Sequence, residues 1–411
     1  MGEEGDGSEG AVEGAPAAGG VGNGDGKQPG EDAGPVQNTT EREKEHLVVL
    51  VHGLFGSHKH LMNVVRVMNT NFSTDNIEIF VSKVNKRSKT LDGIKTCGDR
   101  LMAELDLRLA SAPNNFKTIS FVGHSLGGLI IRYVIGHRFK DEGGEATIFG
   151  LTPLHFIAIT TPHFGCNDTY LKDIKTEDSV TPCLRWMGQI PVVGKIPAFL
   201  FHVFESFFVW LVLRRTGDEL FLRDKDKIIE QLASYSMKGK VAAAEGGRKE
   251  EPPPYLEALA SFRERTCYGN IRGDHVVAWE NATVRRKIDL PKIKRKDAPY
   301  GIVNEEVSPR SEDISPKWPA ELPPNSPALA TCPKIEMMIQ NLEALGWRRV
   351  DVKTKILIHK GAPWAHDNII SKKDCHDNFK IVALHSSSLL VDSVKAIEKE
   401  WNQGTDGATI N

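Results

Sequence analysis

The residues best suited to chemistry are Gly123-His124-Ser125-Leu126-Gly127-Gly128. They follow a strand-like segment, Ile119 to Val122, and precede a helical pattern, so they predict a strand–turn–helix elbow with Ser125 at its tip. The serine of such an elbow takes a strained backbone angle. Gly123 and Gly127, two residues to either side, lack side chains and so let strand and helix approach. The hydroxyl is lifted to the carboxyl end of a sheet, and N–H groups at the helix start face the place where an oxyanion would develop. The chemistry this predicts is nucleophilic acyl transfer. A Gly-rich turn with an incidental serine is the bland alternative, and it leaves the preceding strand unexplained.

A second loop, His52-Gly53-Leu54-Phe55-Gly56, closes the apolar run Leu47 to Val51. It can donate another oxyanion N–H, and the backbone of Leu54 beside that of Leu126 is the expected pair. The bland reading is a simple glycine turn after a strand. A serine hydroxyl also needs an imidazole base and a carboxylate to orient it. In hydrolases built on this elbow, acid and then histidine follow the serine in the chain.

His366, in Pro363-Trp364-Ala365-His366-Asp367-Asn368, follows a late strand and is the expected base. His376 and His385 are rivals, although His385 falls within a helical pattern and reads as a helix-surface residue. His275 stands too close to the acid candidate, and His52 and His124 read as positioning residues within their loops. The expected acid is Asp274, just past the strand-like Thr266 to Ile271 and preceded by the turn glycine Gly273. Asp224 and Asp226 lie in a charged helical stretch that reads as a solvated face. Asp367 adjoins the histidine it would have to orient.

These residues need a sheet to hold them. Leu47 to Val51 is an uninterrupted apolar run, which suits a strand buried on both faces of a parallel sheet. Strand signals recur at Ile77 to Val81, Ile119 to Val122, Phe156 to Thr160, Thr266 to Ile271 and Val350 to His359. Helical patterns separate them at 60–70, 91–110 and after Ser125, then at 217–235, 335–345 and 381–401. Alternating strands and helices predict βαβ units. Gly346 reads as a left-handed cap of the helix before it.

Residues 1–45 contain no Leu, Ile or aromatic residue and predict a disordered acidic, Gly-rich tail ahead of a single domain over 46–411. Within that domain an insertion over about 166–255 breaks the alternation. A basic and then Pro-rich stretch over about 283–333 reads as an excursion outside the core. The formal net charge of -2 gives no reason to expect nucleic acid. Six scattered cysteines without zinc-like spacing read as reduced thiols, and no secretory pattern opens the chain. The expectation is a cytoplasmic protein, with a membrane or lipid-droplet surface as its peripheral site. The oligomeric state is not legible.

Four places in this chain resemble the eukaryotic serine esterases, a lipase-like branch of the α/β-hydrolases. They are the His52-Gly53-Leu54 loop and the Ser125 elbow with Arg132-Tyr133 behind it. The others are Thr161-Pro162-His163-Phe164-Gly165 and the stretch from Tyr268 to Arg285. Thr216 to Leu222 is similar to the family's cap region. The resemblance implies an α/β-hydrolase fold, with a mainly parallel sheet flanked by helices and a cap or lid insertion. It also implies Ser125, Asp274 and His366 as nucleophile, acid and base, and acyl glycerolipids or phospholipids as substrates. Such acyl transfer needs no metal or organic cofactor. One departure is Ala278, where the family often has proline, which implies a less rigid loop after Asp274.

Ile196 to Leu213 is apolar and Phe-rich but interrupted by His202, Glu205 and Ser206. It reads as a lid helix over an acyl site, a buried core helix or a membrane span. Arg285-Arg286-Lys287 and Lys292 to Lys296 form a basic cluster that reads as a contact for anionic lipid headgroups or as a solvated loop, with a nuclear-localisation signal as the weakest reading. Two other functions share these features. A thioesterase or depalmitoylase would use every catalytic residue named, and a non-catalytic module would use the apolar segment to bind a membrane or partner.

Overall fold

The computed structural model describes residues 44–72, 76–111, 116–166, 213–235, 253–274, 276–311, 333–354, 358–359, 362–363, 365–370 and 380–406. The acidic tail, most of the expected cap with its apolar 196–212, and the Pro-rich 312–332 lie outside the described residues.

The chain enters the core at β1 (His46–Val51), which is buried at all six positions. Leu47, Val49 and Val51 join one apolar cluster, while Val48 and Leu50 join another on the opposite face. That two-sided burial is why the run is apolar without alternation. After α1 (Met62–Asn71) and β2 (Ile77–Val81) come α2 (Ile94–Ala110), β3 (Thr118–His124) and α3 (Leu126–Arg138). A short antiparallel hairpin of β4 (Phe139–Glu142) and β5 (Glu145–Ile148) leads into β6 (Thr152–Ile159). Beyond the insertion lie α4 (Arg214–Leu220), α5 (Ile228–Leu232), α6 (Tyr255–Ala260), β7 (Glu264–Asn270) and α7 (Trp279–Ala282). The described chain closes with β8 (Gly301–Val307), α8 (Pro333–Glu343), β9 (Arg348–Lys353), the two-residue strands β10 (Ile358–His359) and β11 (Ala362–Pro363), α9 (Ala365–Asn368) and α10 (Lys380–Asp406).

The main sheet has seven strands in the order β2-β1-β3-β6-β7-β9-β8. Its first six strands are parallel, and β8 runs antiparallel along the edge against β9. Residues of α2, α3, α6 and α8 pack on one face, and residues of α1 and α10 on the other. The chain steps from β1 outward to β2 and then back across to β3. The carboxyl ends of β1 and β3 therefore flank a topological switch point, the usual place for a site in an open α/β sheet.

Three readings of the sequence need correction. The helix expected over 217–235 is two short helices, α4 and α5, because the Asp224 carboxylate accepts the Ile228 N–H at 2.9 Å and starts a second helix there. The stretch 283–333 is not wholly outside the core. Thr283, Val284 and Arg285 are buried, and Gly301–Val307 is the edge strand β8. Its central Asn304-Glu305-Glu306 hides it from an apolar pattern, since an edge strand presents charge to solvent. The late strand ends at Lys353, not His359. Among the described residues no helix is long and apolar enough to cross a membrane.

Candidate active site

Ser125 sits between β3 and α3 with φ 55 and ψ -127, a conformation that costs an L-residue on the order of 1–3 kcal/mol. The packing around it enforces that angle. Its N–H donates to the Ile159 carbonyl at 2.9 Å, and its carbonyl accepts the Gly128 N–H at 3.1 Å. A Cβ on Gly123 would lie 2.6 Å from the Gly128 Cα, and one on Gly127 would lie 2.3 Å from the Val51 carbonyl oxygen. Neither backbone can give way, so both positions require glycine.

The loop after β1 meets the serine directly. A Cβ on Gly53 would stand 2.6 Å from Ser125 Cβ and 3.1 Å from its Oγ. The Phe55 N–H is taken by Thr90 Oγ1 at 2.9 Å, and the Gly56 N–H by the Gly53 carbonyl at 3.0 Å. Among the described residues no acceptor meets the N–H of Leu54 or of Leu126. The Leu126 N–H is one of the orphan donors that open α3, at the positive end of the helix dipole.

Asp274 stands four residues past the end of β7, after Gly273 turns the chain at φ 79. Its Oδ2 accepts from His366 Nδ1 at 3.0 Å and from Asn270 Nδ2 at 3.1 Å. Its Oδ1 accepts the N–H groups of Val276 and Val277 at 3.0 and 2.9 Å. Burial alone would raise this carboxyl. The His366 imidazole and the two backbone donors outweigh it and hold Asp274 below its ordinary value. With Nδ1–H given to the carboxylate, the neutral ring keeps Nε2 as its acceptor.

His366 lies on α9 and is held through its backbone as well. Its carbonyl accepts from His124 Nε2 at 3.1 Å, and the two rings are 5.1 Å apart. His124 immediately precedes Ser125, so the residue before the serine carries the loop that bears the imidazole. Asn270, which the sequence reading passed over, bonds Asp274 and the Ala365 carbonyl (3.2 Å) with one amide, and its Oδ1 accepts from Thr354 at 2.9 Å. A polar residue at a strand end, four before the acid, was the available signal.

The rival residues lie elsewhere. Asp224 starts α5, and Asp226 pairs with Arg215 at 2.8 Å. His385 bonds the Tyr268 hydroxyl at 2.9 Å and is partly buried rather than on the helix surface. His275 and His376 fall outside the described residues. His52 turns its Nδ1–H back to the Gly53 carbonyl at 3.1 Å, and burial pulls its pKa down, so it stays neutral.

Behind the elbow, the buried Arg132 donates to the His163 carbonyl at 3.0 Å. Asn281 clamps the same segment by accepting the Phe164 N–H and donating to the Gly165 carbonyl. A cleft of about 940 Å³ lined by Phe262, Arg263, Val307 and Arg348 lies at the amino ends of β7 and β9. That is the opposite end of the sheet from Ser125, so it is not part of this site.

Residues 41–284 match the family described as "Putative serine esterase (DUF676)", more than half of the chain. The chain belongs to this family. Its fold is that of the α/β-hydrolases, with the elbow and the loop after β1 inside the matched region. It is 26% identical over 291 residues to the "Putative lipase ROG1" of Saccharomyces cerevisiae, covering 68% of this chain and 35% of that one. It is also 22% identical over 243 residues to the "Putative lipase C4A8.10" of Schizosaccharomyces pombe, covering 58% of this chain and 26% of that one. The matched regions thus span only about a third or less of these relatives. Among solved structures it is similar to phospholipase PlaB of Legionella pneumophila, with TM-score 0.32 and 12% identity over 56% of this chain and 38% of that one. It is also similar to a structure from work on two metagenome-derived lipolytic enzymes, LipS and LipT, with TM-score 0.26 and 12% identity over 58% and 77%.

Proposed function

We propose that this protein hydrolyses carboxylic esters of lipids through an acyl-enzyme on Ser125. The observation that carries the reading is the Asp274–His366 contact, tied by His124 to the residue beside a strained, glycine-caged serine. His366 Nε2 takes the proton as Ser125 Oγ attacks the acyl carbon. The oxyanion receives the N–H groups of Leu54 and Leu126. His366 returns the proton to the departing alcohol oxygen as the ester bond breaks. Water then adds to the acyl-enzyme by the same route, releasing the carboxylic acid and restoring the serine. The ionised Asp274 holds the ring in the productive tautomer and stabilises the imidazolium that forms. Lipid esters as substrates rest on family membership and on the relatives described as lipases.

The test is a panel of acylglycerols, phospholipids and acyl thioesters offered to the wild type and to Ser125→Ala. Hydrolysis of glycerolipid esters that the variant loses supports the reading. Turnover of thioesters alone would move the protein to the thioesterase class, and no turnover of any member would favour a binding module.

A further inference from the structure

We propose that the loop Lys292–Lys296 is a docking surface for anionic lipid, placed beside the catalytic end of the sheet. The proposal rests on the lipid-ester reading for its purpose but not for its test. The register of the edge strand fixes where the loop lies. Gly301, the first residue of β8, pairs with Lys353, the last of β9, while Val307 pairs with Arg348 at the other end. Because β9 runs parallel to β7, whose carboxyl end leads to Asp274, the chain before Gly301 emerges at the catalytic end. Lys353 Nζ fastens it there by donating to the Lys296 carbonyl at 2.8 Å and to that of Ala298. Arg295 lies over the Trp279 ring, 5.1 Å from its centre, on the helix that follows Asp274.

The structure also divides the basic cluster that the sequence left whole. Arg285 is buried against Asp351 at 2.7 Å, and Arg286 is paired with Glu336 at 2.6 Å and with Glu343. Neither can serve a headgroup. Lys292, Lys294, Arg295 and Lys296 are exposed, and among the described residues no carboxylate pairs with them. An anchored turn that sets four exposed cations against the single carboxylate of Asp297 is what an anionic surface selects, since each net charge near such a surface adds affinity. Tyr300, 50% exposed, carries Lys353 Nζ over its ring at 5.0 Å and so belongs to the same anchor.

The experiment is sedimentation of the full chain with vesicles of phosphatidylcholine alone and of phosphatidylcholine with phosphatidylserine. The wild type should pellet with the serine-containing vesicles and leave them at high salt. The K292Q/K294Q/K296Q variant, which removes three charges, should lose roughly a hundredfold in binding, given the per-charge contribution of a lysine near such a surface. Its hydrolysis of a soluble short-chain ester should be unchanged. Equal binding to both vesicles, binding that resists salt, or wild-type binding by the variant each overturns the proposal. The salt series needs no variant and so stands even if the variant misfolds. Loss of ester hydrolysis in the wild type would sink the functional reading while leaving the vesicle result intact.

Discussion

Gly53 carries the sharpest residue-scale consequence of the geometry. Its missing side chain leaves the space beside Ser125 that a methyl group would occupy at 2.6 Å from the serine Cβ. In Gly53→Ala the serine must move, and a displacement of about 1 Å can lower turnover on the order of a hundredfold. The expected result is a large fall in kcat for a soluble ester, larger than the accompanying overpacking cost of about 1–3 kcal/mol in stability would produce in a protein that stays folded. Unchanged kcat would show that the loop and the elbow do not meet as described. Asp274 makes a different prediction. Asp274→Asn removes the acceptor that fixes the His366 tautomer, and a loss of about 10⁴ in kcat is expected from that change of role. Because the folded state holds this carboxyl below its ordinary value, its contribution to stability is full above about pH 4 and is lost as pH falls through the folded value. The stability gap between wild type and Asp274→Asn should therefore close in acid. A gap that widens below pH 4 would contradict the direction of the shift.

At the scale of elements, α2 is started by side chains from far along the chain. The Gly93 N–H donates to Thr216 Oγ1 at 2.9 Å and the Ile94 N–H to Glu219 Oε2 at 2.5 Å, both acceptors belonging to α4. Burial raises the Glu219 carboxyl from 4.5 to about 7, against the opposing pull of the Ile94 N–H and Arg215. A carboxyl raised on folding binds its proton more tightly in the folded state, so stability falls as pH rises from about 4.5 to about 7. Glu219→Gln should keep an acceptor for Ile94 without that loss. Urea unfolding is expected to favour the variant more at pH 8 than at pH 5, by an amount on the order of 2 kcal/mol. A constant difference across that range would mean that Glu219 does not titrate there. What the sequence made legible is set by how local each signal is. The elbow is local: strand, Gly123, Ser125, Gly127 and helix are contiguous, and the conformation found at Ser125 is the one that spacing demands. Asp274 and His366 were legible only through chain order and strand ends, yet the structure brings them together. Edge strand β8 and the Thr216–Glu219 cap were not legible, because each depends on a partner tens of residues away, and of the Asn270 bridge only the contact with Asp274 four residues on was within reach. The basic cluster failed for the same reason. Arg285 and Lys294 look alike in sequence, and only Asp351 separates them.

The whole molecule is tied across its far edge by that same aspartate. Asp351 is fully buried and accepts from Trp279 Nε1 at 2.7 Å, from both Arg285 Nη atoms at 2.7 and 3.3 Å, and from Asn304 Nδ2 at 2.8 Å. It joins β9, the edge strand β8 and the segment behind Asp274. Asp351→Ala strands the buried Arg285 charge, leaving it, among the described residues, the half-exposed Glu306 alone. A loss of about 3–5 kcal/mol in unfolding free energy is expected. A loss under about 1 kcal/mol would show that this edge is not held by the ion pair.

The most direct test of the central claim is covalent labelling of the intact chain by a fluorophosphonate, read by mass and by the position of the modified peptide. The site described here predicts one adduct on Ser125, absent from Ser125→Ala and much slower to form in His366→Ala. A folded wild type that stays unlabelled with the site open to detergent, or a label on another residue, would contradict it.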